Sequence, residues 1–198
     1  MKSDAKYTLC FAGWGCTALI QILMATYFMM WVTEFVHTGV LSGEDEAKTI
    51  YSNVLATGIV VSALTLPVVG KIVDVVPAYI TFPLAFLTRG ALIGLLYLIK
   101  DPRSNYCFFL IVSVILSSTI QYICVQALFL RNLPSHIRGV MISAFWFFGN
   151  AGCTFYAAIG GIMFDKLGAS SPFNFVSICD LTVFAFAIIL VCAGRINQ

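Results

Sequence analysis

Residues 106–130 read YCFFLIVSVILSSTIQYICVQALFL, which is 25 consecutive residues without a charged side chain. The hydrocarbon core of a bilayer is about 30 Å thick, and an α-helix needs roughly 20 apolar residues at about 1.5 Å each to cross it. A stretch of this length and composition therefore predicts a transmembrane helix. It also decides the fold class, because a protein that contains such a segment is expected to place it in lipid.

Five more stretches of similar length lie on either side of this one, separated by short connections that hold most of the charged residues. The predicted spans are residues 7–33, 50–70, 78–99, 106–130, 140–163 and 173–192. The sequence thus predicts an all-α polytopic membrane protein, in which residues 1–198 form a single six-helix transmembrane domain.

The composition agrees with a membrane protein. Hydrophobic residues make up 60% of the chain and charged residues 10%, whereas a soluble domain carries about 25% charged residues. Mean hydropathy is +0.96, which indicates that membrane lipid is the main partner of the surface. A net charge of only +2 over the whole chain provides no basic face for nucleic acid, so nucleic-acid binding is not expected.

No motif of a catalytic or metal-binding site occurs in the sequence. The seven cysteines lie in apolar stretches, without a Cys-x-x-Cys pair or a histidine at metal-ligand spacing, and are interpreted as packing residues. The chain also lacks a Walker loop, a His-Glu-x-x-His motif and a Gly-x-Ser-x-Gly motif,. We therefore expect no catalytic residue, no metal ligand and no cofactor, and neither an enzyme nor an electron carrier.

Charged residues of the connections indicate an orientation. The even-numbered connections and both termini carry six Lys or Arg and two Asp or Glu, whereas the odd-numbered connections carry four and five. The positive-inside rule then predicts that both termini lie in the cytoplasm, or in the matrix or stroma of an organelle. The sequence does not specify which membrane it is.

Two charged residues lie inside predicted spans. Arg89 is near the middle of the third span, where an arginine costs about 2.5–3.5 kcal/mol on an insertion scale, and Asp180 lies in the sixth span. Counted at about 1.5 Å per residue, the two reach a similar depth, so we predict an Arg89–Asp180 pair. The alternative is that each charge anchors helix packing through a backbone group or hydroxyl of a neighbour.

Polar residues recur at helical spacing along the fourth span. They include Ser117, Gln121 and Gln126, which either line a cavity or form hydrogen bonds with adjacent helices. Together with Arg89 and Asp180 they are the candidate residues for a substrate cavity.

Small residues form two stripes that predict close helix packing. In the fifth span, Gly149, Cys153, Ala157 and Gly161 follow one another at steps of four residues, and the third span repeats the pattern with Gly90 and Gly94. Small side chains allow the backbones of two transmembrane helices to approach closely.

Two local patterns resemble a known family. Residues 70–74 read GKIVD, similar to the Gly-x-x-x-Asp core of the loop signature of the major facilitator superfamily of transporters. Residues 134–139 (PSHIRG), 160–168 (GGIMFDKLG) and 172–173 (PF) are similar to the fifth-to-sixth or eleventh-to-twelfth helix region of that family. Members have two six-helix halves with substrate bound between them near the midplane. The resemblance implies one such half, with the C-terminal half slightly favoured.

The loop signature also implies a latch. In the family, the aspartate and basic neighbours form a cytoplasmic contact that helps to set the inward/outward equilibrium. By resemblance, Gly70, Lys71, Asp74 and Arg138 are the latch candidates, with Lys71 or Arg138 as the partner of Asp74. Residues 75–77 (VVP) replace the Arg and Gly that usually follow the aspartate.

Two functions follow from this reading. The first is a half-length secondary transporter that moves a small-molecule substrate by alternating access, together with a second six-helix half or as a homodimer. The second is a non-transporting relic of a transporter that acts as a structural or interaction subunit of a membrane complex. Half length and the altered loop signature support the second reading.

Overall fold

A computed structural model describes residues 2–131 and 133–194. The chain is 89% helical, contains no strand in these described residues, and has six helices that are long and apolar enough to cross a membrane. The predicted all-α, six-helix fold class is confirmed. The chain is therefore a multi-pass membrane protein.

Each predicted span corresponds to one of these helices. Span 1 consists of α1 (Lys2–Ile22), a π-helical segment (Leu23–Tyr27) and α2 (Phe28–His37); spans 2 to 6 are α3 (Glu44–Val75), α4 (Ala78–Leu95), α5 (Asn105–Arg131), α6 (Arg138–Leu167) and α7 (Ser171–Cys192). Short 3₁₀ turns follow α4 (Leu96–Leu98) and precede α6 (Ser135–Ile137).

The second helix begins six residues before the predicted span and ends five residues after it. Its first turn holds Glu44, Asp45 and Glu46, and acidic side chains are favourable there because the N-terminal end of a helix carries partial positive charge. Hydropathy detects only the apolar middle of such a helix. The predicted boundaries were too short for this reason.

The six spans pack in pairs. The most extensive contacts join span 3 to span 6, span 1 to span 5, and span 2 to span 4, while spans 1 and 3 also contact span 4. Spans 2 and 5 are the least covered: of the most apolar stretch of each, 22% and 17% is buried, against 50% in span 1. One side of each of these two helices therefore has no neighbour within the described bundle.

The small residues of span 3 lie against span 6. A Cβ atom added at Gly90 would lie 3.1 Å from Cβ of Asp180, and one added at Gly94 would lie 3.2 Å from Oγ of Ser177. The Ser177 hydroxyl donates to the carbonyl oxygen of Gly90 at 2.7 Å. This is the close packing that the stripe predicts.

Most of the stripe in span 5 lies against span 1. A Cβ atom at Gly149 would overlap the indole of Trp14, the Cys153 thiol lies 3.1 Å from a carbonyl oxygen of span 1, and the Ala157 carbonyl oxygen accepts a hydrogen bond from the Tyr27 hydroxyl at 2.8 Å. These three positions are confirmed as packing residues.

At the end of the stripe, the closest approach to span 1 is made by Gly160, the neighbour of Gly161. A Cβ atom added at Gly161 would meet nothing within 4 Å, whereas one added at Gly160 would overlap the ring of Tyr27. A strict step of four residues drifts around a helix that turns every 3.6 residues. The contact with span 1 has therefore moved to Gly160 at this end of the stripe.

Candidate functional site

Arg89 and Asp180 form the predicted pair. Nε of Arg89 donates to Oδ2 of Asp180 at 2.7 Å, and Nη2 donates to Oδ1 at 2.5 Å. Both side chains are 0% exposed. Such a two-pronged contact is the geometry in which a guanidinium best matches a carboxylate, and it neutralises both charges inside the bundle.

Further hydrogen bonds connect this pair to two more spans. Nη2 of Arg89 donates to the carbonyl oxygen of Cys16 in span 1 at 3.0 Å. The amide of Gln121 in span 4 lies 3.4 Å from Oδ1 of Asp180 and donates to Oγ1 of Thr17 at 3.0 Å. Spans 1, 3, 4 and 6 thus meet in one polar network, which lies in the interior of the apolar bundle.

The structure brings together most of the predicted cavity residues but buries them. Gln121 is 0% exposed and Ser117 is 6% exposed, and the Ser117 hydroxyl donates to the Val114 carbonyl of its own helix. Gln126 is half-buried, and its amide nitrogen has no hydrogen-bond partner among the described residues. Since Arg89 and Asp180 are sealed as well, the expectation that these charges line an open cavity is wrong for this conformation. A role for them in binding substrate stays a prediction.

A groove of about 430 Å³ lies beside the network, between spans 1, 2 and 4. Fourteen residues line it, and none is charged: Trp14, Thr17, Ala18, Ile20, Gln21, Met24, Ala25, Tyr51, Leu55, Ile59, Ile115, Ser118, Thr119 and Tyr122. Two of them, Met24 and Ala25, belong to the π-helical segment of span 1, a kind of irregularity that is frequent at functional sites. Two polar residues of span 4, Ser118 and Thr119, border the groove.

Thr17 joins the groove to the buried pair. Its side chain lines the groove and also accepts the hydrogen bond from Gln121, which in turn contacts Asp180. This face of span 1 was not among the predicted cavity residues. The signal was present, because Trp14, Thr17 and Gln21 follow one another at steps of three and four residues and so share a helix face.

The latch candidates are arranged differently from the prediction. Asp74 pairs with Arg131, whose Nη2 donates to Oδ1 of Asp74 at 2.8 Å and to the Val73 carbonyl oxygen at 3.2 Å. Lys71 and Arg138 are exposed and form no ion pair with Asp74 in the described part of the chain. The predicted partners are therefore wrong: α5 extends to its last turn beside the end of α3, so that Arg131 is the basic residue within reach. Gly70 is half-buried beside this contact.

A second ion pair lies at the opposite end of the same two spans. Nε and Nη2 of Arg103 donate to the two carboxylate oxygens of Glu46 at 2.6 and 2.8 Å, and Nη2 also lies 3.2 Å from the Ser42 hydroxyl. The hydrogen bonds that Arg103 donates to the Glu46 carboxylate raise the pKa of Arg103. Spans 2 and 4 are thus connected by an arginine–carboxylate pair at both ends, the other being Arg131 with Asp74.

Comparison with known proteins gives one weak similarity. The chain is 22% identical to the magnetosome protein MamH of Paramagnetospirillum magneticum, over 95% of this chain and 43% of MamH. No protein-family model and no solved structure matches the chain. The chain thus spans less than half the length of this relative, and the similarity at this level does not show a family.

Proposed function

We propose that this chain is one six-helix half of a membrane transporter and that a second six-helix unit completes it. The observation that carries the proposal is the groove between spans 1, 2 and 4, which is large enough for a small solute and has hydroxyl and amide groups among its apolar residues. A few polar groups on an apolar concave wall are typical of small-molecule sites. In this reading the groove is the wall that faces the solute.

The uncovered sides of spans 2 and 5 support a second unit. Asn150 lies near the middle of span 5 and is exposed, as is Thr154 one turn later. An amide without a partner in hydrocarbon costs several kcal/mol, so this side of span 5 is better suited to a protein neighbour than to lipid. MamH, which is more than twice as long as the stretch that it shares with this chain, has room for such a unit.

The buried pair then acts as a brace and does not bind the solute. Arg89 and Asp180 connect spans 3 and 6, and the bonds to Cys16 and Gln121 extend the connection to spans 1 and 4. A bundle held in this way is suited to moving as one rigid body, which is how the two halves of such transporters move against each other. The sequence motifs that resemble the major facilitator superfamily also support this proposal.

A second candidate function is that of an interaction subunit that transports nothing. The sealed polar core favours it, because Arg89 and Asp180 are committed to each other and have no exposed surface. In that case the uncovered sides of spans 2 and 5 bind an unrelated membrane protein, and the groove is a packing surface for it.

The two candidates are distinguished by access to the groove from the two sides of the membrane. Ala25→Cys places a thiol on the groove wall, and iodoacetamide is supplied on one side of sealed vesicles with glutathione on the other side to consume reagent that crosses. Alternating access predicts that the introduced thiol is alkylated from either side, as measured by mass spectrometry of its peptide. Ile188→Cys, at a position that is exposed on span 6 away from the groove, is the control, because a thiol in lipid does not ionise. Alkylation of the Ala25→Cys variant from one side only, or from neither, contradicts transport.

A further inference from the structure

Most hydroxyl groups of the groove already donate their proton to a backbone carbonyl oxygen. Thr17 donates to the carbonyl oxygen of Gly13 at 2.7 Å, Ser118 to that of Val114 at 2.6 Å, and Thr119 to that of Ile115 at 3.2 Å. A hydroxyl has one proton to donate and two lone pairs to accept with. These three side chains therefore present acceptors to the groove.

Tyr51, on span 2, is a further hydroxyl of the groove whose proton is already donated. Its hydroxyl donates to the carbonyl oxygen of Met24 in the π-helical segment at 3.3 Å. Three side chains of the wall still have protons to donate. The amide of Gln21 and the hydroxyl of Tyr122 are exposed, and the indole N–H of Trp14 is buried against Gly149 of span 5, without a partner among the described residues. The interior of the groove is thus rich in acceptors and poor in donors.

A cation or an anion in the groove would have no counter-ion among the lining residues. No lining residue is charged, and the nearby Arg89 and Asp180 are bound to each other with 0% exposure. An ion that enters a low-dielectric site without a partner loses hydration that nothing replaces. An anion loses most, because four of the hydroxyl protons that could bind it, those of Thr17, Tyr51, Ser118 and Thr119, are already donated to carbonyl oxygens.

We infer that the groove binds an uncharged, partly apolar solute that presents N–H or O–H donors to it, and that it excludes anions. The inference rests on the proposed function only where it treats the groove as a transport site. Binding itself follows from the positions of the acceptors. The aliphatic and aromatic side chains of the wall, such as Leu55 and Tyr51, contact the apolar part of the solute, and Thr17, Ser118 and Thr119 accept its hydrogen bonds.

The test compares three alkylating reagents of the same reactive type on the Ala25→Cys variant of the full chain, reconstituted in lipid. Iodoacetamide is uncharged and has N–H donors, 2-iodo-N,N-dimethylacetamide is uncharged and has none, and iodoacetate is an anion. Each rate is divided by the rate of the same reagent at Cys192, which is exposed, so that intrinsic reactivity cancels. The expected order of the normalised rates is iodoacetamide, then the dimethyl derivative, then iodoacetate.

A second substitution tests whether the acceptors cause this order. Thr119→Val keeps the shape of the side chain and removes one acceptor, and it should reduce the advantage of iodoacetamide over the dimethyl derivative by about fivefold, the contribution of one neutral hydrogen bond. The matched control is Thr182→Val on span 6. The Thr182 hydroxyl also donates to a carbonyl oxygen of its own helix, that of Ile178, but it lies outside the groove, so this change should leave the ratio as it was.

The outcomes separate this inference from the proposed function. Normalised rates that are equal for iodoacetate and iodoacetamide, or an advantage of iodoacetamide that Thr119→Val does not reduce, overturn the inference even if the thiol of Ala25→Cys is reached from both sides of the membrane. The expected order with alkylation from one side only supports the inference and contradicts the transport function.

Discussion

Removing the carboxylate of Asp180 should destabilise the whole bundle. Asp180→Asn keeps the shape of the side chain but leaves the guanidinium of Arg89 buried without a counter-charge. The asparagine oxygen can still accept one of the two hydrogen bonds, at 2.7 and 2.5 Å, but its NH₂ group cannot accept the other, which is worth about 1.5–3 kcal/mol. The guanidinium charge that is left buried without a counter-charge adds to this, and removing one partner of a buried pair costs about 3–5 kcal/mol in total.

The assay is thermal unfolding of the purified protein in mild detergent. At about 2–4 °C per kcal/mol for a chain of this size, a loss of about 3–5 kcal/mol lowers the midpoint by about 6–20 °C. The double variant Arg89→Met/Asp180→Asn removes both charges, and its loss should be smaller than the sum of the single losses by about 3–5 kcal/mol. A loss below about 1 kcal/mol for Asp180→Asn is what a solvated pair gives, and it would refute the sealed brace.

Two further predictions concern helix packing and the ion pair at one end of spans 2 and 4. Gly149→Ala should lower the unfolding midpoint, because the added Cβ overlaps the indole of Trp14 and overpacking costs about 1–3 kcal/mol. The matched control is Gly161→Ala, whose added Cβ meets nothing within 4 Å. Equal effects of the two substitutions on the midpoint would contradict the assigned helix faces. Arg131→Gln should speed amide hydrogen exchange at Val75 and Val76, where α3 ends, whereas Arg138→Gln should not. The reverse result would contradict the observed pair.

The six spans and the Arg89–Asp180 pair were predictable from the sequence for the same physical reason. Lipid requires long apolar helices, and a charge inside one of them requires a partner at its own depth. Counting residues from the ends of spans 3 and 6 therefore found the pair, which the structure confirms. Depth along a helix is fixed by the rise per residue and needs no knowledge of the fold.

The direction in which each side chain faces was not predictable in the same way. Whether Gln121 faces the interior and Ser118 the groove depends on the rotation of span 4 relative to spans 1 and 2, which hydropathy does not determine when the helix is apolar all round. For the same reason, the sequence did not show that Gly160 lies closer to span 1 than the predicted Gly161. The partner of Asp74 was missed because the end of α5, and with it the position of Arg131, is set by the neighbouring helix.

The central claim is that this chain forms one unit of a pair, and the mass of the complex tests it most directly. The complex is extracted in a mild detergent, its mass is measured, and whatever travels with the 21.7 kDa chain is identified. We expect two six-helix units, either two copies of this chain or this chain with one complementary six-helix partner. A monomer, or a large assembly of unrelated subunits, would contradict it.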